Sequence, residues 1–206
     1  MRAFSLAEAQ GFLQATLAGA PVDADTLRFD GVSTDTRAVK PGQLFVALRG
    51  DRFDGHKFLE QARAQGAVAA VVDTADDTVV MPQLVVADTV NALAGLAAAN
   101  RDESRAALVA ITGSSGKTTV RQMTSAILAQ MGATLATEGN LNNHIGVPLT
   151  LFRLEPAHRY GAIELGASGL GEIAHTVNIV RPQVVILTTA GQAHLEGFGS
   201  YQNIVQ

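Results

Sequence analysis

Lys117 and Thr118 close the run Ile111-Thr112-Gly113-Ser114-Ser115-Gly116-Lys117-Thr118-Thr119, where small residues, a lysine and paired hydroxyls stand at a spacing suited to a chain of phosphates. In such a loop the backbone N–H groups and the positive end of the following helix face an anion. The lysine reaches the terminal phosphates and the hydroxyl after it ligates magnesium. The general pattern has its first glycine five residues before the second; here that position is Ile111 and the first glycine comes at Gly113. ATP or GTP is the expected ligand, with Gly113, Ser114, Ser115, Gly116, Lys117, Thr118 and Thr119 as its contacts.

Two titratable residues add to this. Glu164 ends the otherwise apolar run Tyr160 to Leu165 (YGAIEL), and a carboxylate is costly to bury there without a cation or a metal. His194, in Ala190-Gly191-Gln192-Ala193-His194-Leu195-Glu196-Gly197, offers a nitrogen ligand or a phosphate contact. Alone, each has a plain reading, as a salt-bridged or solvated glutamate and a turn-capping histidine; the phosphate loop tips both toward a nucleotide site. Two polar clusters stay open between ligand binding and satisfying their own backbone. One is Asn140-Leu141-Asn142-Asn143-His144-Ile145-Gly146-Val147-Pro148; the other is Ser33-Thr34-Asp35-Thr36-Arg37, ahead of the turn Lys40-Pro41-Gly42-Gln43. His56, His158 and His175 show no ligand spacing and read as structural.

The elements that must hold these residues alternate. Ala106 to Ile111 reads as a buried strand, and Thr118 to Met131 as a helix, with Val120, Met123, Ala126, Ile127 and Met131 at helical spacing. Further strands are expected at 134–137, 160–165 and 183–189, with a helix over 171–180, giving a βαβ rhythm and a parallel sheet. Ligands gather outside the carboxyl ends of such strands, and Lys117, Glu164 and His194 all fall there. Upstream, strands at 44–48, 67–72 and 84–87 and helices at 57–65 and 89–99 make a small α/β unit. The charged stretch Arg101-Asp102-Glu103-Ser104-Arg105 reads as a linker, placing a boundary near residue 105.

Composition bounds the rest. The 206 residues are 47% hydrophobic with a formal net charge of -4, enough for a sizeable core and without the basic stripe that a nucleic-acid partner needs. With no cysteine there is neither a disulfide framework nor a thiolate metal site. The N-terminus lacks a signal-peptide core, and no apolar run approaches the roughly 18 residues of a membrane span. A cytoplasmic protein with no membrane insertion is expected.

The order and spacing of several segments resemble the Mur ligases. These are GVSTDTR (31–37), PGQLFVALRGDRFDGHKFL (41–59), ITGSSGKTT (111–119), ATEGNLNNHIGVPLTL (136–151), IELGAS with GEIA (163–174) and AHLEGFGS (193–200). They are most similar to the branch that adds D-alanyl-D-alanine to UDP-N-acetylmuramoyl-tripeptide, and the later glycine of the phosphate loop is the Mur-type form. The resemblance implies an ATP-dependent amide ligase acting through an acyl phosphate in cytoplasmic peptidoglycan precursor synthesis, and so in cell-wall biogenesis, cell shape and division.

It also implies roles. Lys117 would hold the β and γ phosphates, Thr118 a first magnesium, and Glu164 with His194 a second; Lys117, Glu164 and His194 form the catalytic set. Asn140, Asn142 and Asn143 would lie by the substrate, with Ser33, Thr34, Asp35 and Arg37 on the UDP-sugar. The implied fold is a small N-terminal α/β substrate domain (1–105) followed by an incomplete central ATP-binding domain (106–206) of the phosphate-loop type with a mainly parallel sheet.

Two kinds of departure accompany the resemblance. Ser168-Gly169-Leu170 and Thr189 stand where relatives carry asparagine, histidine or proline, which bears on substrate positioning. The family's carbamylated lysine lies a few residues beyond its GFGS segment and its third domain beyond that, while this chain stops at Gln206. The expectation is a fragment inactive alone, with an exposed sheet edge, from a monomeric full-length enzyme. The alternatives are another Mur-type or folylpolyglutamate-type ligase, a phosphate-loop kinase, and a module that binds without catalysis.

Overall fold

A computed structural model describes residues 1–50, 53–191 and 195–205, the side chains of Leu195 and Val205 excepted. The chain forms two compact units, Met1–Ala99 and Asn100–Gln206.

The first unit begins with β1 (Phe4–Ser5) and α1 (Leu6–Leu13). Ser5 and Glu8 close a capping box: the Ser5 hydroxyl accepts the Glu8 N–H at 3.1 Å and the Glu8 carboxylate accepts the Ser5 N–H at 2.7 Å, satisfying two amides the helix start leaves open. There follow β2 (Thr16–Gly19), β3 (Arg28–Phe29), β4 (Val32–Ser33), β5 (Leu44–Val46), the hairpin β6 (Arg49–Gly50) and β7 (Phe53–Asp54), a 3-10 turn (Gly55–Phe58), α2 (Leu59–Ala64), β8 (Ala69–Val72) and β9 (Pro82–Val85). The main sheet runs β2-β9-β8-β5-β4, parallel except for β2 against β9. β8 is buried at every residue, as a strand covered on both faces must be; Phe45, Leu59, Ala62, Ala70 and Met81 form the core beside it. The expected helix 57–65 is thus a 3-10 turn running into a shorter α-helix.

α3 (Thr89–Asp102) leads to the second unit. The stretch expected as a linker is helical through Asp102, and Arg101 is only 6% exposed. Its guanidinium donates to Val180 O at 2.8 Å and Ser104 O at 3.1 Å, placing a cation on carbonyls at helix carboxyl ends. Charge in the sequence marks a helix terminus at this point, not a solvated tether.

The second unit contains β10 (Ala107–Thr112), α4 (Lys117–Ala129), β11 (Thr134–Ala136), α5 (Gly146–Leu151), β12 (Tyr160–Glu164), α6 (Glu172–Val180), β13 (Val184–Leu187), α7 (Leu195–Phe198) and α8 (Tyr201–Val205). Its sheet, ordered β11-β12-β10-β13, is parallel throughout, so every carboxyl end meets one edge. Ile111 pairs with Glu164 and Thr112 with Leu187, which sets the phosphate loop between the ends of β12 and β13. The α/β class and the mainly parallel sheets match the sequence reading. α5, hidden in a stretch read as loop, is a difference: the Asn143 carboxamide oxygen accepts the Ile145 and Gly146 N–H groups at 3.1 and 2.8 Å, and Pro148 falls in the first turn, where its missing N–H costs nothing. α4 turns Met123 and Ile127 outward, at 61% and 64% exposure, and Met131, just past its end, is 56% exposed, while Val120, Arg121, Thr124 and Leu128 are half-buried.

Candidate nucleotide-binding site

The loop after β10 turns on two glycines. Gly113 has φ +132°, and a Cβ there would run into Thr188 Oγ1 and lie 2.9 Å from Thr189 N and O. Gly116, at φ +78°, caps α4 without any side-chain acceptor for the helix's first amides. Those amides and the helix dipole remain for an anion.

The neighbouring segment 188–191 braces the loop. The Ser114 N–H donates to Thr189 O at 2.9 Å and the Ser115 N–H to Thr189 Oγ1 at 3.2 Å. The Gly191 N–H donates to Ser114 Oγ at 2.8 Å, and that hydroxyl donates to Gly191 O at 3.0 Å. Thr188 Oγ1 lies 2.6 Å from Ser115 O. Lys117 folds back, its ammonium donating to Gly113 O at 2.6 Å, where a phosphate oxygen can replace the carbonyl.

Glu164, 3% exposed, sits beside this loop. Its Oε2 accepts the Thr118 hydroxyl at 3.0 Å, its Oε1 accepts the Asn142 amide at 2.9 Å, and its own N–H donates to the buried Thr137 hydroxyl at 2.9 Å. The cation that a buried carboxylate requires is Arg121, whose Nε lies 3.5 Å from Oε2. The sequence reading missed it, although a position four residues after Lys117 shares that lysine's helix face. Thr118 and Glu164 together present hard oxygen donors, a set suited to magnesium, which takes one or two carboxylates and completes its shell with phosphate and water. Among the described residues no three His, Asp or Glu gather as a metal cluster, so a cation would need ligand oxygens as well. Beside the loop an apolar cavity of about 650 Å³ is lined by Gly113, Leu170, Ile173, Val177, Leu187 and Phe198.

The remaining expected residues divide. Ser114, Ser115 and Thr119 belong to the loop and its helix start; His194 lies outside the described residues. Of the asparagines, Asn142 is bound to Glu164, Asn143 caps α5, and Asn140 is exposed. In the first unit the Ser33 hydroxyl donates to Asp35 O at 3.0 Å, and Asp35 takes a forked pair from Arg37 at 2.9 and 2.6 Å. That Arg37 hydrogen bond holds the Asp35 carboxyl down at about 2; Arg37 is 83% exposed at its side chain, and Thr34 is half-buried. His56 is structural: Nδ1 donates to Asp54 at 2.8 Å while Nε2 accepts the Asp73 N–H at 3.1 Å. His158 closes its own turn by accepting the Glu155 N–H, and His175 lies half-buried on α6. No described helix is long and apolar enough to cross a membrane.

Comparison with known proteins agrees with this geometry. Residues 28–114 match the Mur ligase family, catalytic domain, and residues 111–206 match the Mur ligase middle domain. The UDP-N-acetylmuramoyl-tripeptide--D-alanyl-D-alanine ligase of Escherichia coli (strain K12) is 49% identical over 206 residues, which is 100% of this chain and 44% of that protein. The enzyme of the same name from Bacillus subtilis (strain 168) is 37% identical, over 85% of this chain and 39% of its own. A crystal structure of MurF from Acinetobacter baumannii superposes with a TM-score of 0.92 at 38% identity, covering 100% of this chain and 45% of that one. MurF ligase from Thermotoga maritima in complex with ADP gives 0.78 at 33% identity, over 85% and 41%. The chain therefore spans less than half the length of these relatives. With the two Mur ligase matches running in succession from residue 28 to residue 206, and the phosphate loop and Glu164 at their centre, the chain belongs to the Mur ligase family.

Proposed function

We propose that this chain supplies the UDP-sugar-binding and ATP-binding parts of a ligase that joins D-alanyl-D-alanine to UDP-N-acetylmuramoyl-tripeptide in the cytoplasm. The observation that carries the reading is the convergence of Lys117, Thr118 and Glu164 at the carboxyl edge of the parallel sheet, with Glu164 buried against the Thr118 hydroxyl. Residues 1–105 are assigned to the UDP-sugar, with Ser33, Thr34, Asp35 and Arg37 as contacts. Residues 106–206 are assigned to ATP, with Asn140, Asn142 and Asn143 beside the peptide.

A carboxylate is a poor acyl donor until it is phosphorylated. Its oxygen attacks the γ phosphorus, the bond to the β-phosphate oxygen breaks and ADP leaves. The dipeptide amine then attacks the acyl carbon and expels inorganic phosphate. In the first step the chain's task is to gather positive charge around transferring phosphate. The first amides of α4 hold the β phosphate, and the Lys117 ammonium leaves Gly113 O for the β and γ oxygens. Thr118 would hold one magnesium and Glu164 with His194 a second, and when bound these neutralise phosphate charge and orient the transfer. The apolar cavity beside the loop helps to exclude water from the acyl phosphate.

Calorimetric titration of the chain with UDP-N-acetylmuramoyl-tripeptide, and separately with ATP plus magnesium, tests the assignment. Saturable binding of both is expected. ATP binding with no tripeptide binding contradicts it in favour of a phosphate-loop protein of another kind, such as a kinase.

A further inference from the structure

We propose that Arg121 is a positioning residue that holds Glu164 on the phosphate loop once nucleotide and magnesium occupy it. The inference rests on the preceding reading of Thr118 and Glu164 as the metal-facing pair.

The Arg121 side chain is 11% exposed and packs against a carboxylate that is 3% exposed. Its Nε lies 3.5 Å from Glu164 Oε2 and is buried with no hydrogen-bond acceptor. Arg2 closes on Glu8 at 2.8 Å, Arg63 on Glu60 at 2.6 Å and Arg181 on Asp102 at 2.6 Å, and Arg49, 3.7 Å from Asp54, closes on Asp73 at 2.8 Å instead. A buried charged donor left unbonded pays its desolvation without return.

The Thr118 hydroxyl already donates to the same Oε2 at 3.0 Å. A hydroxyl that ligates a cation must turn a lone pair to it and point its hydrogen elsewhere, so Oε2 then loses that donor. Arg121 Nε is the charged donor poised to replace it. Closing the 3.5 Å separation to the roughly 2.7–2.9 Å of a charge-assisted hydrogen bond takes a movement of about 0.6–0.8 Å. Asn142 meanwhile keeps Oε1, and a carboxylate has about four lone-pair sites, so both anchors leave room for a cation. Arg121 and Thr118 thus exchange places on Oε2 between the two states, and the carboxylate keeps its orientation through the change.

Affinity for ADP, measured by calorimetry with and without magnesium on the wild-type chain and on Arg121→Met, Arg121→Lys and Glu164→Gln, tests this. Groups that hold a metal ligand in its orientation are worth roughly 10–100-fold in metal affinity. Arg121→Met is expected to weaken magnesium-dependent ADP binding about tenfold, to leave magnesium-free binding unchanged, and to be largely rescued in Arg121→Lys. Equal losses with and without magnesium would mark a merely structural arginine and overturn the proposal, as would unchanged binding in both conditions. If magnesium fails to strengthen ADP binding to the wild-type chain and Glu164→Gln binds like wild type, the reading of Glu164 itself falls and the role of Arg121 falls with it. A magnesium effect that Glu164→Gln abolishes and Arg121→Met preserves overturns the arginine alone.

Discussion

Ser33–Arg37 and the phosphate loop offer similar chemistry, hydroxyls beside a carboxylate and a cation, but they resolve it differently. In the first cluster the partners are two residues apart: Ser33 bonds Asp35, and Asp35 bonds Arg37. In the second, Thr118 and Glu164 are 46 residues apart, and Asn142 and Glu164 are 22 apart. A local cluster can be satisfied by its own turn and keep its shape without a ligand. A cluster assembled from three elements puts its cation and carboxylate where the sheet dictates, and here it leaves uncapped helix amides and an unbonded guanidinium nitrogen. Unused hydrogen-bonding capacity at the end of a parallel sheet distinguishes the phosphate loop from a cluster whose side chains already satisfy one another.

The difference can be broken at its strongest point first. Lys117→Met is expected to weaken magnesium–ADP binding by about 100-fold, since a hydrogen bond to a charged group is worth about 1.5–3 kcal/mol; calorimetry reads it directly. Gly113→Ala comes next. Its Cβ would collide with Thr188 and Thr189, so the second unit should lose about 1–3 kcal/mol, seen as faster amide hydrogen exchange in β10 and β13 with β5 and β8 unaffected. His56→Ala removes the link between Asp54 and the Asp73 amide and should cost the first unit about 1–3 kcal/mol in urea unfolding.

The smallest effect sharpens the local side of the comparison. Asp35, bonded by Arg37, has its folded pKa lowered to about 2, below the roughly 3.9 of an unfolded chain. Its contribution to stability is therefore complete above about pH 4 and is lost as pH falls toward 2. In Arg37→Ala the carboxyl should titrate higher by carbon-detected NMR while staying below its unperturbed value, because the backbone N–H of residue 37 still donates to it; the pair is too exposed for a measurable change in stability.

Much of this organisation is legible in the sequence where one physical cause dominates. Ala106 to Ile111 reads as a strand because it is continuously apolar, and the helix over 171–180 is found as Glu172–Val180. Glu164 stands out because a carboxylate in an apolar strand needs a partner. The two-residue strands β1, β3 and β4 escape because pairing, not residue type, makes them strands. α5 escapes because its start is set by the Asn143 side chain and its glycine and proline look like a turn. On α4 the period is right, yet the sheet side carries Arg121 and Thr124 while Met123 and Ile127 face outward. Hydropathy assigns the period of a helix; the face is chosen here by what the helix must bring to Glu164. Arg121 is invisible for the same reason, since only the fold shows that the buried carboxylate lies beside it.

The most direct test of the central claim is an amide NMR map of the chain on addition of magnesium–ADP. The largest shifts are expected at Gly113–Thr119, Glu164 and Thr188–Gly191, with Ser33–Arg37 unmoved. Shifts centred on Ser33–Arg37, or a phosphate loop that does not respond at saturating ligand, would contradict it.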